Sequence, residues 1–295
     1  MDYMLNGELV SFETQDKLTL HGFLARPKGK SSKAIIAIHG LFGDFYGSNR
    51  NRLIAKKAVA NGINFLTIEL RGSYAKNSLQ KRTGKKSKWV ASGCITEKFE
   101  NCIYDIDGAI RFLQKLGVKK IVLMGHSTGC QKITYYQFKR KNRKVKALIL
   151  LAPADDYNTT KKDLGRRFNR AVGIAHKLCK KDRSIEMPKE FHMQYSAGRF
   201  LSFSDTKFAE ARIFDYESRK LKEFSAIKEP ILAVFGSKEQ YALKPVKEYM
   251  KTLERDTSSR QFDYLIVRGA DHSFTRKEKE ISNKLITWLK SLSQF

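Results

Sequence analysis

The sequence predicts an α/β fold, a mostly parallel sheet flanked by helices, in a single domain carrying one insertion. Three observations predict it. Apolar runs of strand length, such as AIIAI at 34–38, lack the alternation of a half-solvated strand, as expected where both sheet faces are covered. Segments of helical periodicity lie between them and end at Gly or Asn-Gly. The alternation breaks once, over residues 155–229, and then resumes to the last residue.

Taken in order, 8–14 and 18–25 read as an antiparallel lead-in hairpin joined at Gln15-Asp16-Lys17. The buried strand 34–38 ends in His39-Gly40-Leu41-Phe42-Gly43-Asp44 and is followed by a helix over 49–60, stopped by Asn61-Gly62. A strand at 63–70 leads into a basic, polar loop at 73–96. Residues 99–116 form an amphipathic helix, with Ile103, Ile106, Ile110 and Leu113 on one stripe and Gly117 at its close. A buried strand at 121–124, a helix at 128–140 with a basic C-terminus that suits its dipole, and a strand at 145–152 follow. After 155–229, which has little strand character, come strand 231–235, helix 246–253, strand 262–267 and helix 277–292. The expected organisation is a core of 1–154 and 230–295 with a lid or cap inserted at 155–229.

Composition narrows the function classes. With 295 residues, 41% of them hydrophobic, the chain has the apolar material for a full core, which excludes a disordered tail and a disulfide-stapled miniature domain. No apolar run reaches the roughly 18–20 residues that span a bilayer. The first residues, MDYMLNGE, lack the basic-then-apolar layout of a signal peptide, and Cys94, Cys102, Cys130 and Cys179 show no paired spacing. A cytoplasmic protein with reduced thiols is the expectation. The net charge of +27, from 57 Lys+Arg against 30 Asp+Glu, suits anionic partners. Its runs at 81–88, 139–146, 161–170 and 177–183 are scattered and carry no nucleic-acid-binding motif, so no specific nucleic-acid partner is expected.

The chemistry concentrates at Gly125-His126-Ser127-Thr128-Gly129-Cys130, a G-x-S-x-G directly after a buried strand and directly before a helix. That is the layout of a nucleophile elbow, where a serine in a strained turn projects its hydroxyl above the sheet edge and the flanking glycines let strand and helix approach. A phosphate-binding loop would need Gly-Lys-Ser/Thr where Cys130 stands. Serine needs a base, and His272 lies after the last strand in Gly269-Ala270-Asp271-His272-Ser273-Phe274. His126 packs beside the serine, and His21, His176 and His192 have no supporting context. The acid that orients His272 is assigned to Glu239, after the penultimate strand in FGSKE, with Asp155 and Asp156 as the alternative. The oxyanion donors are expected to be the N–H groups of Thr128 and of Leu41, Phe42 being second to Leu41.

HGLFGD at 39–44, ELRG at 69–72, GHSTGC at 125–130, FGSKE at 235–239 and GADHSF at 269–274 together resemble the α/β-hydrolase superfamily over nearly the whole chain. The resemblance implies the α/β-hydrolase fold with a lid and a Ser-acid-His triad in that chain order; glutamate at 239 departs from the commoner aspartate. The stretch LMGHSTGCQKITYY at 123–136 is further similar to the branch containing fungal fusarinine-type siderophore esterases.

The function this predicts is a serine hydrolase cleaving a small carboxylic ester through an acyl-enzyme, with no cofactor and no metal. An amidase or peptidase would use the same triad; from another class, a basic nucleic-acid-binding module or a non-catalytic scaffold would explain the charge but not the ordered triad. Because the basic segments at 73–96 and 155–229 follow the carboxyl ends of strands, they are expected to border the mouth and favour an anionic substrate.

Overall fold

In the computed structural model, which describes residues 4–191 and 195–295, strand pairing organises the chain into one eight-stranded sheet. His192 lies outside the described residues. Strands β1 (Glu8–Glu13) and β2 (Thr19–Ala25) form the antiparallel lead-in, with Val10 opposite Gly22, and β2 pairs antiparallel with β4 (Asn64–Ile68). From β4 the sheet is parallel through β3 (Lys33–Ile38), β7 (Lys120–His126), β8 (Val145–Leu151), β9 (Ile231–Gly236) and β10 (Phe262–Val267). The spatial order is β1-β2-β4-β3-β7-β8-β9-β10. The runs without alternation are the central strands, and all of β4 and β9 is buried. Helix α1 (Asn49–Ala60) packs against α10 (Glu278–Ser291), and α2 (Cys102–Lys115) against α3 (Thr128–Arg140). Helix α9 (Val246–Asp256) contacts both β9 and β10.

Two segments differ from the sequence reading. The expected loop at 73–96 contains a hairpin, β5 (Asn77–Thr83) and β6 (Lys86–Ser92), joined by Gly84-Lys85 with Gly84 at φ +61°. A glycine at positive φ in a two-residue connection matches the twist of the flanking strands. Only Leu79 and Val90 turn inward from this hairpin, so the apolar alternation is drowned by lysines. The helix expected from 99 begins instead with a 3₁₀ turn, Phe99–Asn101, before α2.

Between β8 and β9 run α4 (Asp156–Leu164), α5 (Phe168–Lys181), α6 (Ala197–Ser204), α7 (Ala209–Ile213) and α8 (Lys222–Ser225). Their apolar residues divide. Leu164, Phe168, Phe191, Tyr195, Phe200 and Phe203 build a separate cluster with Cys94 and Ile95, whereas Ile213, Phe214, Leu221 and Phe224 join the main core. The two regions are joined through a buried ionic network. Lys132 Nζ donates to both Glu97 oxygens at 3.0 and 2.9 Å, Arg199 Nη2 lies 3.4 Å from Glu97, and Arg199 also pairs with Glu210. Burial would raise the Glu97 carboxyl, but Lys132 and Arg199 hold it below its usual value.

Candidate active site

The elbow forms because β7 must turn into α3 within one residue. Ser127 sits at φ 54°, ψ −128°, a conformation that costs a non-glycine residue about 1–3 kcal/mol and persists only where its surroundings impose it. They do so by crowding. A Cβ on Gly125 would lie 2.5 Å from the Gly129 oxygen, and one on Gly129 would lie 2.4 Å from the Ile38 oxygen, so neither position admits a side chain. Thr128, the first residue of α3, presents an N–H that the helix itself leaves without a partner.

The turn after β3 abuts the elbow: a Cβ on Gly40 would stand 2.9 Å from Ser127 Cβ and 3.4 Å from its Oγ. His39 organises this turn. Its Nδ1–H donates to the Gly40 oxygen at 2.8 Å, and its Nε2 accepts from Ser73 Oγ at 2.8 Å. Burial depresses its pKa to about 4 and keeps the ring neutral. With the Gly40 carbonyl so engaged, the Leu41 N–H points the opposite way across the planar peptide.

Parallel pairing of β9 with β10, Gly236 opposite Val267, sets two loops side by side. A Cβ on Gly236 would reach within 2.3 Å of the Ala270 oxygen. His272 Nδ1 lies 2.8 and 2.9 Å from the two Glu239 carboxylate oxygens, leaving Nε2 as the basic nitrogen of the neutral ring. The His272 N–H donates to Gln240 Oε1 at 2.9 Å, and its carbonyl accepts from His126 Nε2 at 2.9 Å. Burial holds His126 well below its ordinary pKa, so this donor is a neutral imidazole. Arg50 Nη1 donates to the neighbouring Ser273 oxygen at 3.3 Å, and burial pulls its pKa down to about 10. The Tyr241 ring meets His272 edge-on, 4.7 Å between centroids.

Ser127, His272, Leu41 and Tyr241 line one cavity of about 1040 Å³. Among the described residues no hydrogen bond joins the Ser127 hydroxyl to His272. The alternative acids are engaged elsewhere. Asp155 caps α4, accepting from Asn158 N at 3.0 Å and Tyr216 N at 3.3 Å, and burial raises its pKa to about 6. Asp156 accepts from Gln131 Nε2 at 2.8 Å, and burial, then Glu210, raises it to about 8. His21 pairs with Glu69 and His176 with Asp205, and neither pair lines the cavity.

The charges of that wall differ from the expectation drawn from the basic segments. Arg50 is its one Lys or Arg among the described residues, against Asp44, Asp163 and Glu278, with Asp156 largely protonated near neutral pH. Helix α4 explains the difference: Asp156, Thr159, Thr160, the exposed Asp163 and Leu164 share the face toward the cavity, while Lys161 and Lys162 lie off that face. Phe191, Tyr195, Phe200 and Phe203 both build the cluster of the insertion and wall the cavity. Sequence reasoning missed Arg50, Gln240, Tyr241 and the Lys132 network. Only Lys132 had a signal: four residues after Thr128, it falls on the same face of α3, where a lysine is out of place unless paired.

The family described as "Protein of unknown function (DUF1749)" matches residues 87–292. The chain belongs to that family. No curated protein matches this DUF1749 member. Among solved structures it is similar to Est1E from Butyrivibrio proteoclasticus, with a TM-score of 0.68 and 14% identity over 98% of this chain and 100% of that one. An esterase of Pyrococcus furiosus gives 0.63 and 14% over 99% and 92%. A soluble variant of monoglyceride lipase from Saccharomyces cerevisiae, in complex with a substrate analogue, gives 0.64 and 15% over 98% and 97%. At these identities the likeness establishes the fold, and the fold is that of the α/β-hydrolases.

Proposed function

We propose that this DUF1749 protein is a serine hydrolase that cleaves a carboxylic ester. The observation that carries the reading is the strained Ser127 in a cavity shared with His272, whose Nδ1 is held by Glu239 at 2.8 Å. Ser127 Oγ attacks the ester carbonyl while His272 Nε2 takes its proton; this contact closes as substrate fills the cavity, since such hydrogen bonds are often long in the free enzyme. Glu239 fixes the tautomer and stabilises the imidazolium. The Thr128 and Leu41 N–H groups receive the oxyanion. The intermediate collapses to an acyl-serine, and His272 returns the proton to the departing alcohol. Water then repeats the sequence and releases the acid.

Residues 155–229 serve as the cap over this chemistry and 1–154 with 230–295 as the core. The buried Lys132–Glu97–Arg199–Glu210 network supports a cap clamped in place rather than swinging. The free cysteines suit a reducing, cytoplasmic setting, and no helix among the described residues is long and apolar enough to cross a membrane. The narrower likeness at 123–136 adds no substrate to this reading.

The test is fluorophosphonate labelling followed by a panel of matched p-nitrophenyl esters and anilides. Wild-type protein should label and hydrolyse the esters, and Ser127→Ala should lose the label and about 10⁴-fold or more in kcat while keeping its fold. Ester hydrolysis by Ser127→Ala at the wild-type rate would sink the proposal; faster turnover of the anilides would move it to an amidase.

A further inference from the structure

The basic run at 81–88, KRTGKKSK, is not used by the hydrolase reading, and the structure gives it a shape. It forms the tip of the β5–β6 hairpin, where five of eight residues are Lys or Arg. Leu79 and Val90 attach the hairpin to the body on one face. On the other face Gln80 pairs with Trp89, whose indole is 67% exposed. Arg82 is held by Glu13. Lys81, Lys85, Lys86 and Lys88 form no ion pair among the described residues; the last three are exposed, Lys85 in the turn and Lys86 and Lys88 further toward the tip on the Leu79–Val90 face.

From this juxtaposition of an exposed indole and unpaired lysines at the tip of one hairpin, whose edge is tied to the body by Arg82 N donating to Lys17 O at 2.9 Å, we infer that the hairpin docks the protein on an anionic phospholipid surface. Indole is amphipathic and settles at the headgroup level of a bilayer, where its apolar face leaves water while its N–H stays solvated. Lysines near an anionic leaflet contribute about fivefold each to binding, and their long stems let the charges reach headgroups while the backbone stays rigid. A single-stranded nucleic acid would instead be held by successive aromatic rings, and this hairpin carries only Trp89. The hairpin is also tied to the cavity. Cys94 N donates to Tyr74 O at 2.8 Å, Ser196 N to Ile95 O at 2.8 Å and Arg199 Nε to Cys94 O at 2.9 Å. Docking through the tip thereby fixes the position of the aromatic wall relative to the lipid. The binding inference itself is independent of the hydrolase reading.

The test uses the full chain with vesicles of phosphatidylcholine alone or mixed with phosphatidylserine, at physiological salt. Co-sedimentation with the mixed vesicles only is expected, with a blue shift of tryptophan emission. That shift reports Trp89, because the other tryptophan, Trp288, is 9% exposed and already hydrogen-bonded to Asp263. Lys85→Gln, Lys86→Gln and Lys88→Gln together should weaken vesicle binding by about a hundredfold. Trp89→Ser should weaken it several-fold, with circular dichroism unchanged in both. Lys177→Gln, Lys180→Gln and Lys181→Gln, the same charge removed from exposed positions on α5, should leave binding within about threefold. Equal losses in the two triple variants, an unshifted emission on binding, or no binding to the mixed vesicles each overturn the inference. So does hairpin-dependent binding of single-stranded RNA without vesicle binding.

Discussion

Replacing Glu239 by glutamine separates the proposed acid from its rivals. The carboxylate lies 2.8 and 2.9 Å from His272 Nδ1, and its side chain is 3% exposed, so the pair works in a nearly dry site. When His272 takes the serine proton it becomes a cation beside that carboxylate. Two unit charges about 4 Å apart at an effective dielectric of about 20 attract by about 4 kcal/mol, which is about 10³ in rate if the glutamine oxygen keeps the hydrogen bond but not the charge. If the amide N–H₂ faces Nδ1 instead, the ring must adopt the wrong tautomer and the loss approaches about 10⁴. Glu239→Gln should therefore lower kcat for a p-nitrophenyl ester by about 10³- to 10⁴-fold, with thermal unfolding nearly unchanged. Asp155→Asn should stay within about threefold of wild type, because asparagine caps α4 as well as aspartate does. A Glu239→Gln enzyme within tenfold of wild type, or an Asp155→Asn enzyme that falls as far, would refute the assignment of the acid.

Asp156 gives a pH signature. Its folded pKa of about 8 stands above the ordinary 3.8, so it binds its proton more tightly folded than unfolded, and the stability this lends below pH 4 is lost as pH rises toward 8. Asp156→Asn should therefore gain in Tm relative to wild type between pH 5 and pH 9; parallel Tm profiles would contradict this. The acidic cavity wall should disfavour anionic esters: Asp163→Asn combined with Glu278→Gln should raise kcat/KM for an anionic ester about fivefold while a neutral ester of equal length changes little. Equal responses of the two esters would show that the wall charges do not reach the substrate. Glu97→Gln leaves Lys132 and Arg199 buried with one carboxylate fewer, and should cost about 3–5 kcal/mol, or about 10 °C in a melting scan. An unchanged melting temperature would mean that the network relaxes at no cost.

What the amino-acid sequence determined here is whatever depends on neighbours in the chain. Strands such as 34–38 were legible because burial on both faces demands an unbroken apolar run, and the elbow because Gly125 and Gly129 are the only residues that its close approaches admit. The order of Ser127, Glu239 and His272 was legible for the same reason, each standing directly after a recognisable strand. Which carboxylate meets His272 was a matter of tertiary structure. Glu239 and Asp155 both follow strands, and only the parallel register of β9 with β10 lays the Glu239 loop against the His272 loop, while Asp155 turns to cap its own helix. The hairpin at 77–92 hid because two inward apolar residues are too few to mark a period among lysines. The sign of the cavity wall was hidden more deeply: charge counted along 155–229 is net basic, but the rotation of α4 about its axis, with Leu164 buried in the insertion's cluster, puts Asp156 and the exposed Asp163 on the cavity side and leaves Lys161 and Lys162 off it.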